Sequence, residues 1–479
     1  MSSAPATPSV RRVLAFDRNP PLSAPLRYFL SAPLFAALAA ALLLWQGGDA
    51  LASRWSPATL ALTHLLTLGC LSMTMVGALL QILPVVAGVA LPRAALTTGV
   101  AHVGLCAGSL LLAAGFWLQR PALFQLAMAT LLPALLMLLS ACALGLWRHA
   151  GELKQQARGG ASATVTGIRL ALAALAVTVT LGGLLAAAFA WPAGFARGAA
   201  GVAQAAAAWS AALFPGPADA PPLLAQFSVL DLLDLHVAWG LLGWVGVLVA
   251  GVAFQVIPMF QVTEPYPHQL TRWFGTAAFA LLAALSLMYG LGDGLPRQTV
   301  ALLLAAVFAL FALTTVWLLA RRKRPRAEPT TIFWRCAMAS LLAALLVWLL
   351  PYAPTARPLA LGVLMIVGFG LSSINGMLYK IVPFLVWYHL QATPARAAGQ
   401  VPGVNRVIPE RHARWQLGLH LLALALLLAA CYQPALLARP AAALLCASCL
   451  ALWWNLFAAV RLYGRLNAVA PKGAAQASA

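Results

Sequence analysis

An all-α membrane protein of twelve transmembrane helices, built as three four-helix repeats with approximate threefold symmetry, is the fold class this sequence predicts. Composition is the first observation behind it. Of 479 residues, 62% are hydrophobic and only 8% charged, far from the balance of soluble domains. The second is where the basic residues fall, in alternate connections between apolar runs. The third is an echo: GALLQILP at Gly77 to Pro84, GVAFQVIP at Gly251 to Pro258 and GMLYKIVP at Gly376 to Pro383. Each has a glycine seven residues before a proline and a long polar side chain (Gln81, Gln255, Lys380) three before it.

A bilayer crossing needs about 20 apolar residues, and twelve runs meet the need. Their approximate limits are Tyr28 to Trp45, Ala58 to Ile82, Leu96 to Leu118, Ala122 to Trp147, Gly167 to Trp191 and Leu230 to Met259. The remaining six are Trp273 to Gly290, Thr299 to Leu319, Phe333 to Leu350, Leu359 to Tyr388, Trp415 to Tyr432 and Ala441 to Val460. The echoed segments close spans 2, 6 and 10, four apart each time. This spacing divides the chain into three repeats, at about 28–147, 167–319 and 333–460, within one transmembrane domain at 28–461.

The connections orient the chain. Arg11, Arg12, Arg18 and Arg27 precede span 1; Arg148 to Arg169, Arg321 to Arg326 and Arg396 to Arg414 fill alternate loops; Arg461, Arg465 and Lys472 come after span 12. The opposite connections carry only Arg54, Arg120, Arg197, Arg297, Arg357 and Arg439. By the positive-inside bias both tails, 1–27 and 462–479, are expected in the cytoplasm. The net charge of +20 is thereby a topology signal, and the expected partner is the lipid bilayer, with no nucleic acid. The Ala, Leu and Arg richness points to the bacterial inner membrane. The 192–226 connection, Ala-rich and closed by PGPADAPP, is expected to be a periplasmic spacer. Seven cysteines lie almost wholly inside apolar runs, and the only close pair, Cys446 and Cys449, is an i, i+3 pair within span 12, which argues against a disulfide framework.

The polar residues inside the runs carry the functional expectations. Gln81, Gln255 and Lys380 share one depth on spans 2, 6 and 10. An intramembrane lysine is costly and usually faces a bundle interior or a water-filled cavity, so these three are a candidate pathway constriction. Helix-ending prolines with side chains reaching for the interface are the competing account. His64 and His236 sit early in spans 2 and 6, in the outer third of the membrane. An unsatisfied ring there costs roughly 2 to 7 kcal/mol, so each is either a hydrogen-bonded core residue or part of a ligand site. Counted from the shared prolines they differ by two residues, about 200° around an ideal helix, so they match in depth but are not equivalent. Asp231 and Asp234, an i, i+3 pair, either favour the N-terminus of span 6 through its dipole or admit protons to a pathway. His102 and Cys106, i, i+4 in span 3, have the spacing for shared metal ligation as well as for plain packing.

Twelve spans in three arcs, a histidine early in span 2 within THLLTLGCLSMTMVGALLQILP and another early in span 6 within HVAWGLLGWVGVLVAGVAFQVIP, resemble the catalytic subunit of the heme-copper oxidases and nitric oxide reductases. The resemblance implies a heme-copper-oxidase-like fold, with His64 on heme b and His236 on copper or iron. Span 7 lacks the expected histidine pair, and Leu361 to Gly370 lacks the heme-ligating histidines of span 10. The resemblance, with these departures, implies a heme- or copper-binding relative that is not a complete oxygen reductase, serving respiratory, nitric oxide or metal homeostasis. Its partners would be a redox protein or a small-molecule or metal substrate. A similar role is attributed to the NnrS family. The other expectation is a multi-pass transporter with its pathway between spans 2, 6 and 10.

Overall fold

The computed structural model describes residues 20–151, 162–194, 228–290, 295–324, 326–350 and 356–468. Among them twelve helices are long and apolar enough to cross a membrane. In chain order, and numbered as spans 1 to 12, they are Ser23–Leu51, Pro57–Ala87, Ala94–Leu118, Pro121–Arg148, Ala163–Ala190 and Val229–Gln261, then His268–Tyr289, Pro296–Ala320, Pro329–Leu349, Ala356–Leu390, Glu410–Ala430 and Pro434–Asn467. Each overlaps one expected run. No strand occurs among the described residues. The tail before Pro20, nearly all of the 192–226 connection and the tail after 468 lie outside them.

The ends of the spans have local causes. Spans 2, 4, 9 and 12 open with proline in the first turn, where its missing N–H would have had no helical partner. Ser56 caps span 2 by accepting from the Thr59 amide. Ser228 caps span 6 in a reciprocal box with Asp231, so two orphan donors are satisfied at once.

Spans 2, 6 and 10 form the interior. Their most apolar windows are 67%, 61% and 72% buried; span 1 reaches 61% and the other eight only 28 to 44%. All three change character midway, becoming π-helical over Leu65–Ser72, Trp239–Gly246 and Val363–Leu371. Ser72, Gly246 and Leu371 each lie twelve residues before Pro84, Pro258 and Pro383, so the wide turns occupy matching places in the echoed segments. They also touch one another. Trp244 Nε1 donates to Ser72 Oγ at 3.0 Å, and a Cβ on Gly370 would stand 2.8 Å from Leu71 Cδ1.

The echoed glycines mark where each central span meets the span before it. A Cβ on Gly77 would fall 2.8 Å from the Cβ of Tyr28 in span 1. One on Gly251 would fall 3.2 Å from the Gly167 Cα in span 5, and one on Gly376 would fall 3.1 Å from the Phe333 Cβ in span 9. Around the interior, span 4 packs on span 5, span 8 on span 9, and span 12 returns to pack on span 1.

A polar clasp closes one end. Thr331 Oγ1 donates to Gln261 Oε1 at 2.7 Å, Gln261 Nε2 donates to Thr330 Oγ1 at 3.1 Å, and Arg322 Nη1 donates to Thr331 Oγ1. It joins the end of span 6 to the start of span 9.

Candidate functional site: a facing pair of imidazoles

His64 is the last residue before the wide turns of span 2, and His236 stands three residues ahead of those of span 6. The His64 Nδ1 lies 2.8 Å from the Leu60 carbonyl in its own helix, and the His236 Nδ1 lies 3.1 Å from the Thr178 carbonyl of span 5. A carbonyl only accepts, so each Nδ1 carries the hydrogen and each Nε2 presents a lone pair.

The two rings approach each other. Their centres are 6.5 Å apart and their planes 19° from parallel. Both residues are half-buried. His64 also stacks on Phe116 of span 3 at 4.9 Å, and Phe116 meets Phe124 and Phe189 edge-on at 5.0 and 5.5 Å. His236 is seated on Gly182 of span 5, where a Cβ would stand 2.8 Å from its Cε1. The site therefore sits where spans 2, 3, 5 and 6 adjoin. The offset of about 200° is resolved by the outer spans: His64 turns toward span 3, His236 toward span 5.

Nearby charges have structural employment. Asp231 Oδ2 accepts from the Ser228 amide at 2.8 Å, and Asp234 pairs with Arg54 across 3.6 Å, linking span 6 to the loop before span 2. His102 and Cys106 come together with Sγ 3.7 Å from Nε2, but that same Nε2 is 2.9 Å from Ser31 Oγ. Among the described residues no three His, Cys, Asp or Glu side chains converge as a metal-binding group. Among the described residues, His64 and His236 are thus the His, Cys, Asp or Glu side chains that an ion at the imidazole pair would meet.

The expected pathway residues lie apart from the pocket that spans 2, 6 and 10 line. Spans 2, 6 and 10, with Trp334 of span 9, line a half-open pocket, and residues nine and six before each proline belong to its wall: Met75 and Ala78, Val249 and Val252, Ile374 and Met377. Gln81, Gln255 and Lys380 are not among its lining residues. Lys380 reaches instead for Glu328 at the head of span 9, and Glu328 also accepts from Arg324 at 2.7 Å. An ammonium at such a depth is tolerable when a carboxylate meets it, and span 9 supplies one.

Sequence reasoning missed Phe116, Thr178 and Gly182. A phenylalanine, threonine or glycine in an apolar run carries no mark of the ring it will touch. No protein-family model matches the chain, and no curated protein matches it.

Proposed function

We propose that this chain is an integral membrane protein that holds one heme iron or one copper ion between His64 and His236. The observation that carries it is the spacing of the two rings, 6.5 Å between centres, with both Nδ1 atoms already engaged. The Nε2 atoms of His64 and His236 would hold the metal, and the short spacing of the rings supports one ion shared by both. The donor set fits iron or copper, since neutral imidazole suits both. Bound there, either metal would supply one-electron chemistry. Leu60 and Thr178 fix the ring tautomers, as outer hydrogen bonds do for metal-ligating histidines, while Gly182 leaves room for the His236 ring and Phe116 shields a face of His64.

The chain's own contacts support the threefold, heme-copper-oxidase-like arrangement of the helices: matched wide turns, matched cavity positions and matched glycine crossings. They favour one shared site over the two separate metal sites of the oxidases. With no histidine in the matching parts of spans 7 and 10, a role in respiratory, nitric oxide or metal homeostasis at the bacterial inner membrane fits better than oxygen reduction. A pathway between spans 2, 6 and 10 is the second reading, favoured by the half-open pocket they line.

Metal and heme analysis with an absorption spectrum of the detergent-purified protein separates the two. A Soret band identifies heme, and bound copper without one identifies copper. Either should be lost at least tenfold in both His64→Ala and His236→Ala. A metal-free, colourless preparation, or content unchanged in either variant, overturns the proposal.

A further inference from the structure

The clasp end of spans 8 and 9 carries a second inference, independent of the imidazole pair. Basic residues crowd the point where span 8 ends: Arg321, Arg322, Lys323, Arg324 and Arg326. Most are engaged. Arg322 belongs to the clasp, Lys323 pairs with Glu264 at 3.0 Å, and Arg324 shares Glu328 with Lys380. Among the described residues no carboxylate pairs with Arg321, nor with Arg335 of span 9.

Arg335 is exposed although it lies six residues inside an apolar span, about 9 Å from the start at 1.5 Å per residue. Its Nη2 donates to the Leu319 carbonyl at 3.2 Å, in the last turn of span 8. A guanidinium has five N–H donors, so most of them are left for another acceptor. Arg321 lies over the Trp317 ring, its Cζ 4.5 Å from the centre, and tryptophan favours the headgroup level of a bilayer. Both cations thus stand where headgroups meet hydrocarbon.

Apolar stripes lead away from each. On span 8, Leu303, Leu310, Leu313 and Trp317 are 47 to 56% exposed at the spacing of one helix face that ends in Arg321. On span 9, Leu346 and Ala339 are exposed on the face of Arg335. Spans 8 and 9 pack on one another.

We propose that this corner binds an anionic phospholipid, with its phosphate on Arg335, Arg321 as the second cation and its acyl chains along the exposed leucines. A guanidinium among apolar residues is costly without an anion, and its fork matches a phosphate with two parallel hydrogen bonds. Basic sites between helices at this level suit anionic headgroups. A zwitterionic lipid brings its own cation and fits less well.

Native mass spectrometry of the full chain in detergent, with phosphatidylglycerol or phosphatidylcholine added, tests this. The anionic lipid should be retained about fivefold more, roughly what one basic residue adds at an anionic surface, and excess inorganic phosphate should not displace it. Arg335→Gln should abolish the preference and Arg321→Gln reduce it, while Arg465→Gln, exposed near the end of span 12, should leave it intact. Gel filtration checks folding; if Arg335→Gln fails to fold, Ala339→Trp obstructs the acyl path from the membrane face and should lower phosphatidylglycerol retention instead. Equal retention of the two lipids, a preference unchanged in Arg335→Gln, an equal loss in Arg465→Gln, or displacement by inorganic phosphate would overturn the proposal.

Discussion

A neutral imidazole offers a metal only the nitrogen that its own hydrogen bond leaves bare, so the Leu60 and Thr178 carbonyls decide what His64 and His236 can do. Gly182 decides where His236 can be. Gly182→Val places a branched side chain where even a Cβ would lie 2.8 Å from the ring, and bound metal or heme should fall at least tenfold while gel filtration still shows a folded protein. The ion pair of Lys380 and Glu328 gives a second test. Its side chains are 17% and 26% exposed, between the exposed and buried limits, so Lys380→Met should cost roughly 1 to 3 kcal/mol, read as a lower thermal midpoint. Burial raises the Glu328 carboxyl, but the Lys380 ammonium and the Arg324 guanidinium outweigh it and hold the group below its ordinary value. A carboxyl depressed in the folded state stabilises above the ordinary carboxylate range and loses that contribution as pH falls through its folded value. The midpoint gap between the native protein and Glu328→Gln should be full at neutral pH and close below about pH 4. The histidines and the lysine were legible in the sequence because polar side chains stand out in apolar runs. Glu328 was not, since an acidic residue in a basic loop looks solvated until the fold brings Lys380 to it.

At the scale of the helix, the echoed glycines proved to have a steric reason. Gly77 admits span 1 at a distance that leaves no room for a Cβ, and Gly251 and Gly376 admit spans 5 and 9 so closely that a Cβ would have to push its neighbour aside by a few tenths of an ångström. Gly251→Leu should push spans 5 and 6 apart and cost about 1 to 3 kcal/mol, the usual range for overpacking, measurable by thermal denaturation in detergent. The twelve spans were legible because the length and hydrophobicity of a crossing are dictated by the bilayer. The π-helical stretches were not. Residues such as LLTLGCLS and VLMIVGFGL suit a regular helix equally well, and the wider turn arises from packing among the three central helices.

Across the whole molecule, the likeness of spans 2, 6 and 10 could be read from three short segments, because each of these spans makes a glycine crossing onto the span before it and turns wide at the same place. The place of the imidazole pair could not, since it depends on spans 3 and 5, whose sequences carry no echo that marks them. The distribution of arginines yields a test of orientation. A fluorescent protein fused after residue 479 should fold and fluoresce on the cytoplasmic side, whereas alkaline phosphatase fused there should be inactive; the reverse result would invert every span.

The three π-helical stretches have one more effect. Each accommodates residues that an ordinary α-turn would have no place for, so it is sensitive to chain length as much as to side-chain identity. Inserting a single residue between 239 and 246, where the turns are already wide, would swivel everything upstream by about 100°, carrying His236 away from Thr178 and Asp234 away from Arg54 together. An in-frame codon gain there would thus uncouple the outer half of span 6 from its neighbours while sparing the inner half, a lesion no point substitution reproduces.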